Sequence, residues 1–482
     1  MAKIRFFKKK TRIAAFSLLM FFLSLNVNAQ CSLTGWSKLA QGENFSIALK
    51  QDGTLWIWGR NLYGILGDGT GAHTQIQHPT QIGTDNNWTD ISVGRYFALG
   101  KKANGDLYGW GANDYGQLGL GNNTNVFTPT LIQQNVTAFS AGYFHTLVVK
   151  ADGTLWGTGY NDWSGLGVGT SVGWYNTFQQ ESSQATNWAS VLGTYYNSFA
   201  IKTDGTLWSA GANVEGQTGL GTPASLGTNE TANFTQIGTD TNWKSVAGGI
   251  YHTLGLKTNG ELWSWGHNNN GRLGLGTTGG IQYTPQQVAG NTWASIGATN
   301  EASSAIKTDG SFWTWGNGSY GVLGQGTPYS GAVNVPTQVG TDTNWQSIPV
   351  RSGEVSAGGI KADSTLWSWG WDTYWQLGNG DGVAAEKGSP TQVTCVDNAV
   401  LAVNDNIISQ KKTSLYPNPA KDIVTLQSEK AISEVKIYNV AGSLVKSFSK
   451  PSDNTINISE LSAGVYFVKI NDSVESIKLI KK

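Results

Sequence analysis

The sequence predicts an all-β chain: a seven-bladed β-propeller followed by a small C-terminal antiparallel β-sandwich. The main observation is a kernel, Asp52–Gly59 (DGTLWIWG), that recurs at intervals of 48 to 55 residues. A repeated unit of about 50 residues is the signature of a repeat architecture. The further copies of the kernel begin at Asn104, Asp152, Asp204, Asn259, Asp309 and Asp363.

Each repeat contains about four short strands. Asp52-Gly53 predicts a tight hairpin turn, because glycine supplies the positive φ that such turns need. The run Phe45–Lys50 before it alternates as a half-buried strand does, and the aromatic run Thr54–Trp58 after it suits a strand packed on both faces. Shorter strands are expected near Pro79–Ile82 and Trp88–Gly94. Four strands form one propeller blade, whose faces are buried by its neighbours.

The loop after the kernel carries a family resemblance. The pattern LWxWGxNxxGxLGxG is close to complete in Leu107–Gly121 and Leu262–Gly276, and resembles the repeat of the regulator of chromosome condensation family over roughly residues 33–394. The resemblance implies a seven-bladed propeller. Ser164, Thr218 and Trp375 depart from the pattern, which argues against one binding code shared by all repeats.

Residues 1–29 are predicted to be a secretory signal peptide. A basic end is followed by the apolar run Ile13–Leu25, and cleavage is expected between Ala29 and Gln30. The alternative is an uncleaved anchor, although the apolar run is short for a membrane span. No other segment is expected to cross a membrane.

The charge distribution argues against nucleic acid as a partner. The whole chain has 32 basic and 32 acidic residues, but residues 30–410 hold 15 basic and 25 acidic ones. An acidic propeller is poorly matched to a phosphate backbone.

The two cysteines, Cys31 and Cys395, flank the repeats. The first and last blades of a propeller are neighbours, and exported proteins meet oxidising conditions. We therefore expect a Cys31–Cys395 disulfide that closes the ring within a propeller domain of residues 30–395. The alternative is a pair of free thiols.

The repeats show little catalytic chemistry. His145 and His252 occupy a position that other repeats fill with Phe, Asn, Ala or Ser, which indicates packing. His73 and His78 lack the partners of a metal site. No nucleophile elbow or phosphate loop is present. We expect no enzyme activity, no cofactor and no metal.

One set of aromatic residues predicts a binding face. Equivalent loop positions lie on one face of the ring, and five of the seven are aromatic; in such a place Tyr and Trp are frequent anchors for partners. The alternative is that these side chains cap the adjacent blade and are partly buried. The five residues are Tyr63, Tyr115, Trp163, Tyr320 and Tyr374.

The chain changes character after the repeats. Residues 396–412 are predicted to be a linker. In residues 413–482 apolar and polar residues alternate, which predicts the strands of a small β-sandwich. This last segment resembles the type A C-terminal sorting domain of the type IX secretion system, which implies export by that machinery; the alternative is a binding module of the same fold. The residues that carry the resemblance include Pro417, Asn418, Pro419, Gly442, Gly464 and Lys481.

Together these observations predict a secreted or cell-surface protein, monomeric, that binds an extracellular protein or glycan through one face of its propeller. A secreted enzyme inhibitor is an alternative, because the family includes a secreted inhibitor of β-lactamases. A polysaccharide hydrolase is another, and it requires two converging carboxylates. Guanine-nucleotide exchange is disfavoured, because an exported protein does not meet a cytoplasmic GTPase.

Overall fold

The computed structural model describes residues 32–394 except 172, 223–228, 327–330 and 382–383, and residues 413–482 except 429–430, 440–442 and 472–476. The chain divides into two compact units, Met1–Asp397 and Asn398–Lys482. The predicted leader 1–29, both cysteines and the linker 396–412 lie outside the described residues. Within the described ranges, no helix has the length and apolar character that a membrane span requires.

The described residues of the first unit form seven four-stranded antiparallel sheets, each built from one continuous stretch of chain. The first strands of successive blades contact each other: β1 contacts β5, and β5 contacts β9. These first strands therefore lie innermost in the ring. Blades 1 to 4 contain β1 (Trp36–Gln41), β2 (Phe45–Lys50), β3 (Leu55–Arg60), β4 (Gln75–Gln81), β5 (Trp88–Val93), β6 (Phe97–Lys102), β7 (Leu107–Gly111), β8 (Val126–Gln133), β9 (Val136–Ala141), β10 (His145–Lys150), β11 (Leu155–Tyr160), β12 (Trp174–Gln180), β13 (Trp188–Gly193), β14 (Asn197–Lys202), β15 (Leu207–Ala212) and β16 (Glu230–Gln236).

Blades 5 to 7 repeat this order, with single 3-10 turns at Asn269–Gly271 and Ser319–Gly321 after the third strands of blades 5 and 6. Their strands are β17 (Trp243–Gly248), β18 (His252–Lys257), β19 (Leu262–His267), β20 (Ile281–Val288), β21 (Trp293–Ala298), β22 (Ala302–Lys307), β23 (Phe312–Asn317), β24 (Ala332–Gln338), β25 (Trp345–Ser347), β26 (Ser356–Lys361), β27 (Leu366–Gly370) and β28 (Lys387–Gln392).

The repeated kernel forms the hairpin turn between the second and third strands. Gly53 has φ 78°, as the turn requires. The Asp52 carboxylate accepts hydrogen bonds from the Thr54 amide at 3.0 Å and its hydroxyl at 2.7 Å, and the Trp56 indole donates to that hydroxyl at 2.8 Å. The Lys50 ammonium lies 4.7 Å from the Trp56 ring centroid. In this copy the side chains of the Asp-Gly-Thr-x-Trp kernel therefore fix the hairpin.

The ring is held together by a hydrogen bond that repeats between blades. Trp110 of blade 2 donates its indole N–H to the Ile65 carbonyl of blade 1 at 2.8 Å, and Trp369 of blade 7 donates to Val322 of blade 6 at 2.8 Å. Trp58 of blade 1 donates to Gln376 of blade 7 at 2.9 Å. Blade 1 therefore contacts blade 7 through the same bond that joins blade 2 to blade 1, and the predicted seven-bladed propeller is confirmed.

A glycine at the seam between blades 1 and 7 gives a stability prediction, with a glycine outside the seam as its control. Gly378 has φ 67°, and a Cβ there would lie 2.4 Å from the Trp58 indole nitrogen, whereas Gly340 has φ 61° and open space around it. Gly340→Ala should cost only the left-handed strain of about 1–2 kcal/mol. Gly378→Ala should cost about 1–3 kcal/mol more, because the methyl group overpacks the seam. Urea unfolding of both variants measures the difference, and equal losses would contradict it.

The first strand of blade 7 is interrupted. The second strand begins nine residues after the start of the first strand in blades 1 to 6, but eleven residues after it in blade 7, between Trp345 and Ser356. β25 ends at Ser347, and Pro349 has no N–H to continue the ladder. Residues 348–355, called the blade-7 bulge below, occupy the inner position that a strand fills in the other blades.

The second unit has two antiparallel sheets, in the orders β29-β30-β33 and β32-β31-β34-β35. Apolar residues of both sheets share one core, among them Val424 and Ile456 of the first sheet and Val435 and Val468 of the second. The predicted β-sandwich is therefore present. Its strands are β29 (Thr413–Tyr416), β30 (Ile423–Ser428), β31 (Glu434–Asn439), β32 (Leu444–Ser449), β33 (Thr455–Asn457), β34 (Gly464–Ile470) and β35 (Ile477–Lys481), with a 3-10 turn at Ser452–Asn454.

Candidate binding face

The five predicted aromatic residues lie on one face of the ring. Strands of a blade alternate in direction, so the loop joining the first and second strands emerges at the same end as the loop joining the third and fourth. In blade 1 these loops are residues 42–44 and 61–74. This end of the blades is called the aromatic face. Its five predicted members are all in loops after third strands: Tyr63, Tyr115, Trp163, Tyr320 and Tyr374.

These side chains are partly open to solvent. Tyr63 is 41% exposed, Trp163 36% and Tyr320 43%, while Tyr115 and Tyr374 are half-buried. Tyr63 and Tyr320 have φ 58° and 59°, a left-handed backbone that the corresponding Asn270 of blade 5 shares. Asparagine and glycine adopt this conformation more readily than tyrosine. Backbone energetics alone therefore do not account for tyrosine at these two positions.

Each of the five also contacts the next blade. Ring centroids are 5.3 Å apart for Tyr63 and Tyr96, 5.1 Å for Tyr115 and Phe144, and 6.1 Å for Trp163 and Tyr196. Farther round the ring, Tyr320 stacks on Trp371 at 5.1 Å, and the Arg60 guanidinium lies 4.5 Å from the Tyr374 centroid. The exposed rings are therefore held in place by contacts between blades.

The sequence interpretation missed the second set of aromatic residues. Tyr96, Phe144 and Tyr196 each directly precede a second strand, and the equivalent positions in blades 1 and 6 hold Asn44 and Glu301. Aligning this position across the repeats would have found them. With the predicted residues of blades 1 to 3 and with Tyr160 at the end of β11, they form two groups of touching rings, Tyr63 with Tyr96 and the other five, and both groups line one pocket. Together these rings are called the aromatic patch: Tyr63, Tyr96, Tyr115, Phe144, Tyr160, Trp163 and Tyr196.

Blades 4 to 6 carry charged groups on the same face. A Glu215 carboxylate oxygen lies 3.8 Å from His267 Nδ1, and buried Arg272 lies 3.4 Å from Glu301. Burial lowers the pKa of Arg272, against the opposing effect of Glu301. The aromatic face is therefore asymmetric, with the larger aromatic surface confined to blades 1 to 4.

The blade-7 bulge crosses the centre of the ring. Arg351 lies 3.4 Å from the Val93 carbonyl of blade 2, and the Tyr143 hydroxyl of blade 3 donates to Glu354 at 2.8 Å. Val350 lines a cavity with Leu192 of blade 4. Burial lowers the pKa of Arg351 to about 10, against the opposing effects of Tyr143 and Glu354. Blades 2, 3 and 4 are not neighbours of blade 7, so these contacts span the central channel.

Both repeat histidines are buried. His145 Nε2 lies 3.1 Å from Ser198 Oγ, and His252 Nε2 lies 3.0 Å from Ser303 Oγ. Burial lowers the pKa of His145 to about 3, with Arg351 contributing, and lowers that of His252 well below its usual value. Both rings are therefore neutral near pH 7 and pack between blades. Across the described ranges, no group of three or more His, Cys, Asp or Glu residues is arranged to hold a metal ion.

An asparagine secures the loop after the third strand. Asn161 accepts from the Leu166 amide at 3.0 Å and donates to the Thr170 carbonyl at 2.7 Å. Blade 7 has Asp372 instead, which accepts from the Leu377 amide at 2.9 Å while its Oδ2 is buried without a partner among the described residues. Burial raises the pKa of Asp372 to about 7.

The sorting-domain residues lie in the second unit. Both peptide bonds preceding Pro417 and Pro419 are cis. The Asn418 side chain accepts from the Ile480 amide at 2.8 Å, and Gly464 starts β34. Lys481 is buried, and its ammonium lies 4.0 Å from Asp422. Gly442 lies outside the described residues.

Comparison with known proteins decides the family. The profile described as "RCC1-like domain" matches residues 24–359, which is more than half of the chain. The chain belongs to the RCC1-like domain family. The profile described as "Secretion system C-terminal sorting domain" matches residues 414–482 of this RCC1-like protein. The C-terminal unit therefore marks the protein for type IX export to the cell surface or extracellular space.

The proteins similar to this RCC1-like propeller include two solved structures that share its fold and two curated relatives that match part of its sequence. The structures of human WBSCR16 and Saccharomyces cerevisiae Prp20p each match with a TM-score of 0.61, at 21% and 17% identity; the match covers 71% and 80% of this chain, and 94% and 90% of theirs. The Arabidopsis thaliana ultraviolet-B receptor UVR8 is 25% identical over 50% of this chain and 54% of its own. The human E3 ubiquitin-protein ligase HERC2 is 33% identical over 20% of this chain and 2% of its own. The chain thus spans about half or less of these two curated relatives.

Proposed function

We propose that this RCC1-like protein is an exported binding protein that engages an extracellular protein or glycan through its aromatic face. The observation that carries the proposal is the aromatic patch: seven rings on one face of blades 1 to 4, in two groups of touching rings that line a common pocket, with Tyr63 and Trp163 substantially exposed. Aromatic side chains supply large contact areas at little cost in conformational entropy.

Two further features support this role. The rings are fixed by contacts between blades, so a partner would find them already ordered, and preorganisation improves affinity. The blade-7 bulge contacts blades 2 and 3 across the channel, so part of the passage through the ring is filled.

The test is a capture experiment with the mature chain, residues 30–482, immobilised and exposed to culture supernatant and to envelope material including surface polysaccharide. A triple variant, Tyr63→Ala, Tyr115→Ala and Trp163→Ala, removes the patch. We expect the parent to retain a partner that the variant loses by at least about tenfold, because interface aromatics are common hot spots.

The matched control changes Tyr320→Ala and Tyr374→Ala on blades 6 and 7 of the same face, and should retain the partner. Circular dichroism and urea unfolding establish that both variants fold. Equal capture by the parent and the triple variant would overturn the proposal, and equal loss in both variants would extend the site to the whole ring.

A further inference from the structure

A small pocket opens within the aromatic patch, between blades 1, 2 and 3. Its volume is about 240 Å³. Two ring pairs line it, Tyr63 with Tyr96 at 5.3 Å and Tyr115 with Phe144 at 5.1 Å between centroids. Pockets for drug-sized ligands measure roughly 300–1,000 Å³, so this one suits a single small ring.

The charged groups of the pocket select against ionic ligands. The Arg95 guanidinium lies 4.8 Å from the Tyr96 centroid and 5.8 Å from that of Phe144, between the two ring pairs. It is held by Glu43, to which its Nε and Nη2 both donate. Glu43 neutralises the charge of Arg95, but the guanidinium already occupies the cation–π position on Tyr96 and Phe144, so that side of these rings is not open to a cationic ligand.

Asp114 disfavours an anionic ligand in the same pocket. Its side chain is exposed at the pocket and forms no ion pair with any residue that the structure describes. An anionic ligand would meet this carboxylate in a propeller that is already acidic. Hydroxyl groups, in contrast, can donate to a carboxylate and accept from tyrosine hydroxyls.

We infer that the pocket binds one sugar ring of an uncharged glycan. The C–H faces of a pyranose pack on the aromatic rings, and its hydroxyl groups bond to Asp114 and the tyrosine hydroxyls. Gln117 positions the site, because its side-chain oxygen accepts the Tyr115 amide at 3.0 Å. This inference rests on the proposed function and specifies the ligand class for the same face.

The test is affinity electrophoresis of the mature full chain in native gels containing a neutral polysaccharide (mannan, laminarin or hydroxyethylcellulose), with polygalacturonate as an anionic probe and chitosan as a cationic one. We expect retardation in at least one neutral gel and in neither charged gel. Tyr115→Ala and Asp114→Ala should each weaken binding by at least about tenfold, the usual size of a hot-spot effect. Tyr115→Phe, which keeps the ring, should weaken it less.

Leu131→Ala, on the exposed outer strand of blade 2, is the matched control and should bind as the parent does. Absence of retardation in every neutral gel, retardation only by a charged polymer, or equal retardation of the parent and the Tyr115→Ala and Asp114→Ala variants would overturn the inference. If the capture experiment nevertheless returns a protein through Tyr63, Tyr115 and Trp163, the binding function stands and only the ligand class is wrong.

Discussion

Replacing Asp372 by asparagine is expected to stabilise the propeller by about 2–4 kcal/mol at pH 8 and by little at pH 4. The group has a folded pKa of about 7 because it is buried, whereas its pKa in the unfolded chain is about 3.9. Each unit of pKa difference corresponds to about 1.4 kcal/mol, which sets the upper value.

The sign follows from proton linkage. Between pH 4 and pH 7 the folded chain keeps the Asp372 proton while the unfolded chain loses it, so stability falls as pH rises through this window. Above pH 7 both states are ionised and the full penalty is present. The Asp372→Asn side chain would carry no charge, and its amide could donate as Asn161 does to Thr170 at 2.7 Å. Urea unfolding of the parent and Asp372→Asn at several pH values measures the effect.

Asn161→Asp is the converse control. It places a carboxylate at the equivalent site of blade 3, and should destabilise by a similar amount at pH 8 and by less at pH 4. A pH-independent difference between the parent and Asp372→Asn would contradict the assignment of a raised pKa to this group.

Cys31→Ser is expected to lower the stability of the oxidised propeller by at most about 4–5 kcal/mol, the upper value for a disulfide that closes a long loop. The two cysteines lie outside the described residues, but the chain segments next to them meet at the seam between blades 1 and 7. There the Trp36 amide donates to the Ser364 carbonyl at 3.1 Å, and Val393 shares a core with Trp36. Among the described residues no strand is exchanged between these blades, so a covalent link would add directly to the main-chain and side-chain contacts of this seam.

The measurement compares urea unfolding of the parent and Cys31→Ser with and without reductant, after production in an oxidising compartment. Reductant should bring the parent to the level of the variant and leave the variant unchanged. Cys395→Ser should behave as Cys31→Ser does, and the double variant should lose no more. Two thiols titrating in the denatured, unreduced parent would rule the disulfide out.

The fold was predictable from the repeat, because the turn and strand residues of each hairpin are adjacent in the sequence. The Asp52-Gly53 turn and the run Phe45–Lys50 define a hairpin, and the structure places β2 at Phe45–Lys50.

The binding face was predictable only in part. Tyr63 and its equivalents share a repeat position, so the periodicity placed them on one face. Their partners, such as Tyr96 beside Tyr63, also share a repeat position, but they belong to the following blade, and repeat spacing alone does not show which residues of two blades touch. The blade-7 bulge is visible in the sequence as two extra residues between Trp345 and Ser356. Its contacts with blades 2 and 3 were not predictable, because these blades come near the bulge only when the ring closes.

Every blade is formed by one continuous segment of the chain. The same ring could therefore form from a chain that begins with any of the seven blades. The seam between blades 7 and 1 uses the same tryptophan-to-carbonyl bond as the seam between blades 1 and 2. A circular permutant opened between Gln180 and Trp188, with the old ends joined, would preserve every sheet and every seam. In such a molecule the sorting domain could be attached after any blade, which separates the position of the export tag from the position of the binding surface.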